Sequence, residues 1–134
     1  MGLITKEYLA GLFDGEGSVG LYKNGGRWYI RVSVSNSVPA PLFLIKEVYG
    51  GSIIRYKQVD HKFVMYRWQA VCVSADSFLK DIAPYVIIKK EQVETAIEYR
   101  DKFKKNNGKH LSSEETILRE WYADRLKTLK LGEI

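Results

Sequence analysis

The chain has 134 residues, 46% of them hydrophobic, enough to bury a core, and it reads as one domain over 1–134 with a core over about 3–105 and a C-terminal helix over about 112–131. A net charge of +5 and a pI near 9.2 favour a polyanionic partner. No run of about 18 apolar residues is present, which excludes a membrane span, and the amino terminus reads as free of signal or transit patterns. Cys72, the only cysteine, has no partner for an internal disulfide, so a reducing intracellular compartment is expected, with Cys72 as a small buried core residue. Lys, Glu, Ile, Val and Tyr are abundant and Gln and Asn scarce, a composition that leans toward a heat-adapted source.

In chain order, Thr5 is placed to cap a first helix from Lys6 to about Asp14. Ser18–Lys23 reads as a strand, Asn24-Gly25-Gly26 as a hairpin turn, and Arg27–Asn36 as the returning strand. In that strand Trp28, Ile30, Val32 and Val34 share one face. Arg27, Tyr29, Arg31, Ser33 and Ser35 share the other, which carries no acid. Pro39-Ala40-Pro41 opens a second helix, Leu42–Tyr49, closed by Gly50-Gly51. Ser52–Gln58 and Phe63–Val73 form a second hairpin across Val59-Asp60-His61-Lys62. Tyr66, Trp68 and Ala70 are assigned to the core, and Arg55 and Lys57 to the same face as Arg67. Ser74 caps a third helix over about Ala75–Ala83, which Pro84-Tyr85 breaks. A fourth helix starts at Lys89 or Lys90, runs to about Lys105 with Val93, Ala96, Ile97 and Phe103 inward, and ends at Asn106-Asn107-Gly108. Ser112-Ser113-Glu114-Glu115 is a capping box for a fifth, with Ile117, Leu118, Trp121, Leu126 and Leu129 as its apolar side. The expected fold class is α+β, an α-ββ-α-ββ-α core with one four-stranded antiparallel sheet and additional C-terminal helices.

The most informative stretch is Leu9-Ala10-Gly11-Leu12-Phe13-Asp14-Gly15-Glu16-Gly17-Ser18. Gly11 and Gly15 are four apart and line one side of the first helix. Each glycine inside a helix costs roughly 1 kcal/mol against alanine, and close approach of a second backbone is the usual compensation. Asp14 and Glu16 stand at the helix C-terminus, where unpaired carbonyls are already negative. Two acids there suit a divalent cation, which takes carboxylate and backbone oxygens together. His61 and His110 lie in turns far from these acids, so a zinc site or a histidine nuclease is not indicated.

This decapeptide resembles the signature of the LAGLIDADG homing endonucleases, in the variant whose last acid is Glu. Gly50-Gly51-Ser52-Ile53, Tyr66-Arg67-Trp68-Gln69 and Pro84-Tyr85…Lys89-Lys90 resemble the family as well, so the likeness covers nearly the whole chain. One copy of the signature is present, which in this family implies a homodimer built on the signature helices, here through Ala10, Gly11, Leu12 and Gly15. The resemblance implies a saddle-shaped sheet over double-stranded DNA. It also implies a sequence-specific endonuclease of an intron or intein, cutting a long pseudo-palindromic site. Glu16 is then the catalytic acid, with Gly15 as a carbonyl ligand and Asp14 either holding metal-bound waters or bonding backbone amides. Mg²⁺ is the implied ion, with Mn²⁺ or Ca²⁺ able to substitute for binding. Asn36 falls where the family places a polar residue near the attacking water, and its other reading is a turn residue before Pro39. Lys89 falls where the family places a lysine, with Lys90 next to it. A shift of two residues in the alignment would put Ile87 there. Tyr22, Asn24, Arg27, Tyr29, Arg31, Ser33, Arg55, Lys57, Arg67 and Gln69 are the implied DNA-reading set, while Lys104 and Lys105 would at most touch phosphates. Two other readings share the fold: an RNA-binding intron maturase, and a DNA-binding module without cleavage. The implied setting is a prokaryotic cytoplasm or nucleoid, archaeal included, or an organelle.

Overall fold

The computed structural model describes residues 4–57, 64–103 and 112–132. Thr5 opens the first helix, α1 (Lys6–Glu16), and its Oγ1 accepts the Tyr8 N–H at 3.1 Å. The helix runs past Asp14 to Glu16 and passes without a linker into β1 (Gly17–Asn24). That corner depends on Gly17. The Phe13 ring lies against its α-carbon, and a β-carbon there would collide with the ring.

β1 turns through Gly25 and Gly26, both with positive φ, into β2 (Arg27–Asn36), with Asn24 opposite Arg27. Pro39-Ala40-Pro41 leads into α2 (Ala40–Tyr49), and Gly50-Gly51 turns the chain into β3 (Ser52–Lys57). β4 (Val64–Val71), α3 (Cys72–Ile82), α4 (Lys90–Phe103) and α5 (Ser113–Leu131) follow. All strand pairs are antiparallel, in the order β1-β2-β4-β3, so the two hairpins join through β2 and β4 into the expected four-stranded sheet. The fold is α+β.

One face of the sheet is closed by helices. Val19, Ile30, Val32, Val34, Trp68 and Ala70 are buried there with Leu9, Ala10 and Phe13 of α1. Phe78 of α3 sits at the aromatic centre of this core. Its ring centroid is 4.9 Å from Trp68, 5.3 Å from Tyr49 and 5.8 Å from Phe13. The Trp68 indole N–H donates to the Gly50 carbonyl at 2.8 Å, so this large side chain is buried without leaving its polar atom unpaired. Tyr49 donates to Asp81 at 2.7 Å; burial first, and then that bond and charge, push its pKa upward.

Around α3 and α5 the structure departs from the sequence reading. The strand expected to reach Val73 stops at Val71, because Cys72 takes a φ of 55° and the chain turns at once into α3. Ser74 therefore lies inside that helix rather than capping it. Cys72 is exposed at this corner instead of buried in the core. Finally, α5 buries only part of its expected side: Leu126 is buried and Leu118 packs on the core. Ile117 and Trp121 are 66% and 54% exposed, while Arg119, Tyr122, Ala123 and Leu126 are buried. Arg119 is held inward because its Nη1 donates to the Tyr99 hydroxyl at 2.6 Å and its guanidinium stands 4.4 Å from the Phe103 ring centroid. Ser112 caps the helix as expected, accepting the Glu115 N–H at 3.1 Å.

No helix among the described residues is long and apolar enough to cross a membrane. Gln58, Phe63, the turn expected over 59–62, the helix end expected at 104–108, His61, His110, Lys104 and Lys105 lie outside the described residues.

The corner at Gly17 is testable. Gly17→Ala places a methyl against a fully buried ring and should lower the unfolding free energy by about 1–3 kcal/mol, the usual range for overpacking a core. Urea denaturation measures it, and an unchanged midpoint with an unchanged slope contradicts this account of the corner.

Candidate active site and nucleic-acid interface

The C-terminus of α1 is tied to the segment between α3 and α4 by hydrogen bonds in both directions. Asp14 Oδ2 accepts the Ile87 N–H at 2.8 Å, and its Oδ1 accepts the Lys89 N–H at 3.1 Å. In return Lys89 Nζ donates to the Asp14 carbonyl at 3.0 Å. A cation on the last-turn carbonyls of a helix interacts favourably with its dipole, and Lys89 is held there at only 8% exposure. Of the two roles open for Asp14, the amide-bonding one describes its geometry, although the amides belong to 87–89 and not to its own turn. Lys90, the neighbouring candidate, instead points out toward Glu94 at 3.9 Å. The Ile87 side chain is exposed.

Glu16 stands at the exposed corner between α1 and β1, with no hydrogen-bond or ion-pair partner among the described residues. Gly15 beside it is exposed as well. Among the described residues no cluster of three or more His, Cys, Asp or Glu forms a cage for a metal. The Glu16 carboxylate and the Gly15 carbonyl form an all-oxygen donor pair, which fits a hard cation such as Mg²⁺. Mg²⁺ is ordinarily held by one or two carboxylates, waters and substrate phosphate rather than by an all-protein cage.

Asn36 takes the place of a turn residue before Pro39. Its Oδ1 accepts the Val38 N–H at 3.0 Å, closing the turn before Pro39. In register it stands opposite Tyr66, on the helix-covered side of the sheet.

The other face of the sheet is bare. Register places Tyr22 opposite Tyr29, Asn24 opposite Arg27, Ser33 opposite Gln69, and Arg67 between Ser35 and Ile54. Arg31 shares that face. Arg55 and Lys57 do not. β3 pairs with Ile54 opposite Arg67 and Arg55 opposite Tyr66, so Arg55 and Lys57 lie on the helix side, beyond the edge of the core. The expectation that they face with Arg67 is corrected by the pairing of Ile53 with buried Trp68. Their places are taken by Ile54 and Tyr56, which a sequence pattern could not allocate. The Arg67 guanidinium lies 4.7 Å from the Tyr56 ring centroid, and the Tyr56 hydroxyl reaches Ser35 at 3.5 Å. Across β1, β2, β3 and β4 this face carries arginines, tyrosines and other polar residues, with the apolar Ile54, Met65 and Val71 among them, and no acid.

The outer side of α1 is formed by Tyr8, Gly11, Leu12 and Gly15. Gly11 and Gly15 are exposed, and a β-carbon on either would meet nothing within 4 Å. Packing inside the chain therefore gives no reason for two glycines in this helix. Ala10, expected on the same side, is instead fully buried in the chain's own core, as the adjacent position on a 3.6-residue helix requires.

The bonds from Asp14 bear on stability. Asp14→Ala leaves two backbone N–H groups of the 87–89 segment unpaired and should cost about 2 kcal/mol, since hydrogen bonds to a charged group contribute roughly 1.5–3 kcal/mol. Thermal and urea unfolding measure the loss, and a difference under a few tenths of a kcal/mol contradicts the bonding described.

No family model and no curated protein matches the chain. Solved structures do. I-Vdi141I, an archaeal intron-encoded homing endonuclease complexed with DNA, superposes with a TM-score of 0.72 at 24% identity, over 92% of this chain and 82% of its own. The homing endonuclease I-CvuI, in complex with a DNA target in the presence of Mg, gives 0.72 at 18% identity over 92% and 80%. I-TnaI, a further homing endonuclease, gives 0.57 at 17% identity over 98% and 99%. Likeness at these identities is one of fold. With the signature decapeptide forming the α1–β1 corner of that same architecture, the chain has the LAGLIDADG homing endonuclease fold.

Proposed function

We propose that the chain is a single-motif LAGLIDADG homing endonuclease. As a homodimer it would cut double-stranded DNA at a long pseudo-palindromic site, using a divalent cation, as part of an intron or intein. The observation that carries this reading is Glu16: an exposed carboxylate at the end of a helix, without a partner among the described residues, beside a basic, acid-free sheet face. A binding module relieved of cleavage has no physical need of a carboxylate there. The similar proteins I-Vdi141I and I-CvuI were determined with DNA, the latter also with Mg or Ca.

In this reading Glu16 and the Gly15 carbonyl hold Mg²⁺. When bound, the ion acidifies a water and neutralises charge on a phosphate. Asp14 takes a positioning role, fixing the segment that carries Lys89. Lys89 presents its ammonium at the same helix end, where positive charge favours an approaching phosphodiester. The bare sheet face contacts DNA through Tyr22, Asn24, Arg27, Tyr29, Arg31, Ser33, Arg67 and Gln69, with the arginines, Asn24 and Gln69 able to read bases. Arginine there takes guanine bidentately, and Gln or Asn takes adenine. One signature helix supplies one carboxylate corner, so cutting both strands takes two copies, and two-fold symmetry imposes matched half-sites.

Two results test the proposal. Glu16→Gln removes a ligand charge with almost no change in volume. On duplexes selected by the wild-type protein from a randomised library, it should slow Mg²⁺-dependent cleavage by about a hundredfold or more while leaving gel-shift affinity within a fewfold of wild type. Wild-type cleavage by the variant refutes the catalytic assignment. Gly11→Leu, which puts a bulky side chain on the open side of α1, should convert a wild-type dimer into monomers in analytical ultracentrifugation. A wild-type protein that sediments as a monomer at micromolar concentration contradicts the dimer.

A further inference from the structure

The bare sheet face holds an arrangement in which two residues outside the base-reading arginines fix how one of them is aimed. Arg31 stands opposite Gly20 across the β1–β2 ladder. Its guanidinium carbon lies 4.1 Å from the ring centroid of Tyr22, two residues along β1 on the same face. The Tyr22 ring reaches that place by leaning back over Gly20. A β-carbon at Gly20 would fall 2.8 Å from the Tyr22 hydroxyl oxygen and 2.9 Å from its Cε2 and Cζ atoms. Tyr29, opposite Tyr22, backs the ring with a centroid separation of 6.0 Å and an interplanar angle of 34°. Glycine inside a strand weakens it, and close approach of another group is the physical reason to keep one. Here the approaching group is the ring on which the arginine stacks.

We infer that Gly20 and Tyr22 are positioning residues that set the specificity of Arg31, a bare α-carbon letting the tyrosine lie flat so that the guanidinium is held over its ring and aimed at a base edge. This rests on the DNA-reading role proposed for the sheet face. An arginine side chain is long and has many rotamers, and bidentate recognition requires its planar fork in one orientation. Stacking on the ring leaves the N–H edge of the fork outward and removes much of that freedom before DNA arrives. Arg67 is held on Tyr56 in a similar way on the other hairpin, with Ser35 fixing the tyrosine.

The experiment is selection from a randomised duplex library in Ca²⁺, so that binding is read without cleavage. It uses the wild type, Arg31→Ala, Tyr22→Leu, Tyr22→Phe and Gly20→Ala, each first shown by thermal unfolding to be folded at the assay temperature. Tyr22→Leu and Gly20→Ala should lose base preference at the same positions as Arg31→Ala, by roughly tenfold, and should add little when combined with it. Tyr22→Phe keeps the ring and should keep the preference. If Arg31→Ala alters the profile and both Tyr22→Leu and Gly20→Ala leave it unchanged, the positioning inference is wrong while the reading face stands. If Tyr22→Phe loses the preference as Tyr22→Leu does, the hydroxyl and not the stack is responsible, and the inference is again wrong. If Arg31→Ala itself leaves every position unchanged, the reading face fails and the inference fails with it.

Discussion

The structure turns on the contact between the Phe13 ring and the bare α-carbon of Gly17. It lets a helix become a strand with no residue between them. Because the corner is that tight, α1 is locked onto the sheet it covers, with Phe13 buried against Phe78 and the rest of the aromatic core. Glu16 is the last residue of the helix and adjoins the first of the strand, so it has no inner surface to pack against and is left exposed. Asp14, two residues earlier, faces the segment before α4 and binds its amides. Two acids in one short motif thus have different surroundings, one held by backbone donors and the other open to a ligand.

The motif also gives α1 two sides of unlike character. Leu9, Ala10 and Phe13 belong to the chain's own core, while Gly11 and Gly15 stand over open space. A helix needs no glycine to face water, and no described residue of the chain packs against the pair. The sheet is divided in the same manner. Its inner face is closed by helices, and its outer face keeps guanidinium groups stacked on rings instead of neutralised by carboxylates. Among the described residues these guanidinium groups have no carboxylate partner, and the rings order them.

Most of the architecture was legible from periodicity and turn chemistry. β2 alternates cleanly because one face is buried, and Thr5, Ser112, Pro39 and the paired glycines mark element ends through their own hydrogen bonding and dihedrals. What could not be read has definite causes. β3 has isoleucine and tyrosine at alternate positions that suit either face, so its register was decided by Ile53 meeting Trp68 and not by its own pattern. The buried side of α5 was misread because Arg119 enters an aromatic cage, and hydropathy treats arginine as outward. Nothing in Val71-Cys72-Val73 announces a left-handed residue, and its apolar pattern points to the core instead of a corner. At the site, the motif located Asp14 and Glu16, but only the fold brings 87–89 to them, 73 residues along the chain from Asp14 to Ile87. Gly20 was overlooked, since its reason for being glycine is a ring from elsewhere in its own strand.

β3 is one of the two terminal strands of the sheet, and its outer edge pairs with no other strand among the described residues. An open row of backbone donors and acceptors beside isoleucine is an invitation to strand addition by another molecule. Arg55 and Lys57 stand on that strand, exposed and turned away from the bare face. Two like charges in so short an edge repel a second copy that tries to align with them. The register that turns these residues away from the bare face thereby leaves two like charges guarding an open sheet edge against a second copy.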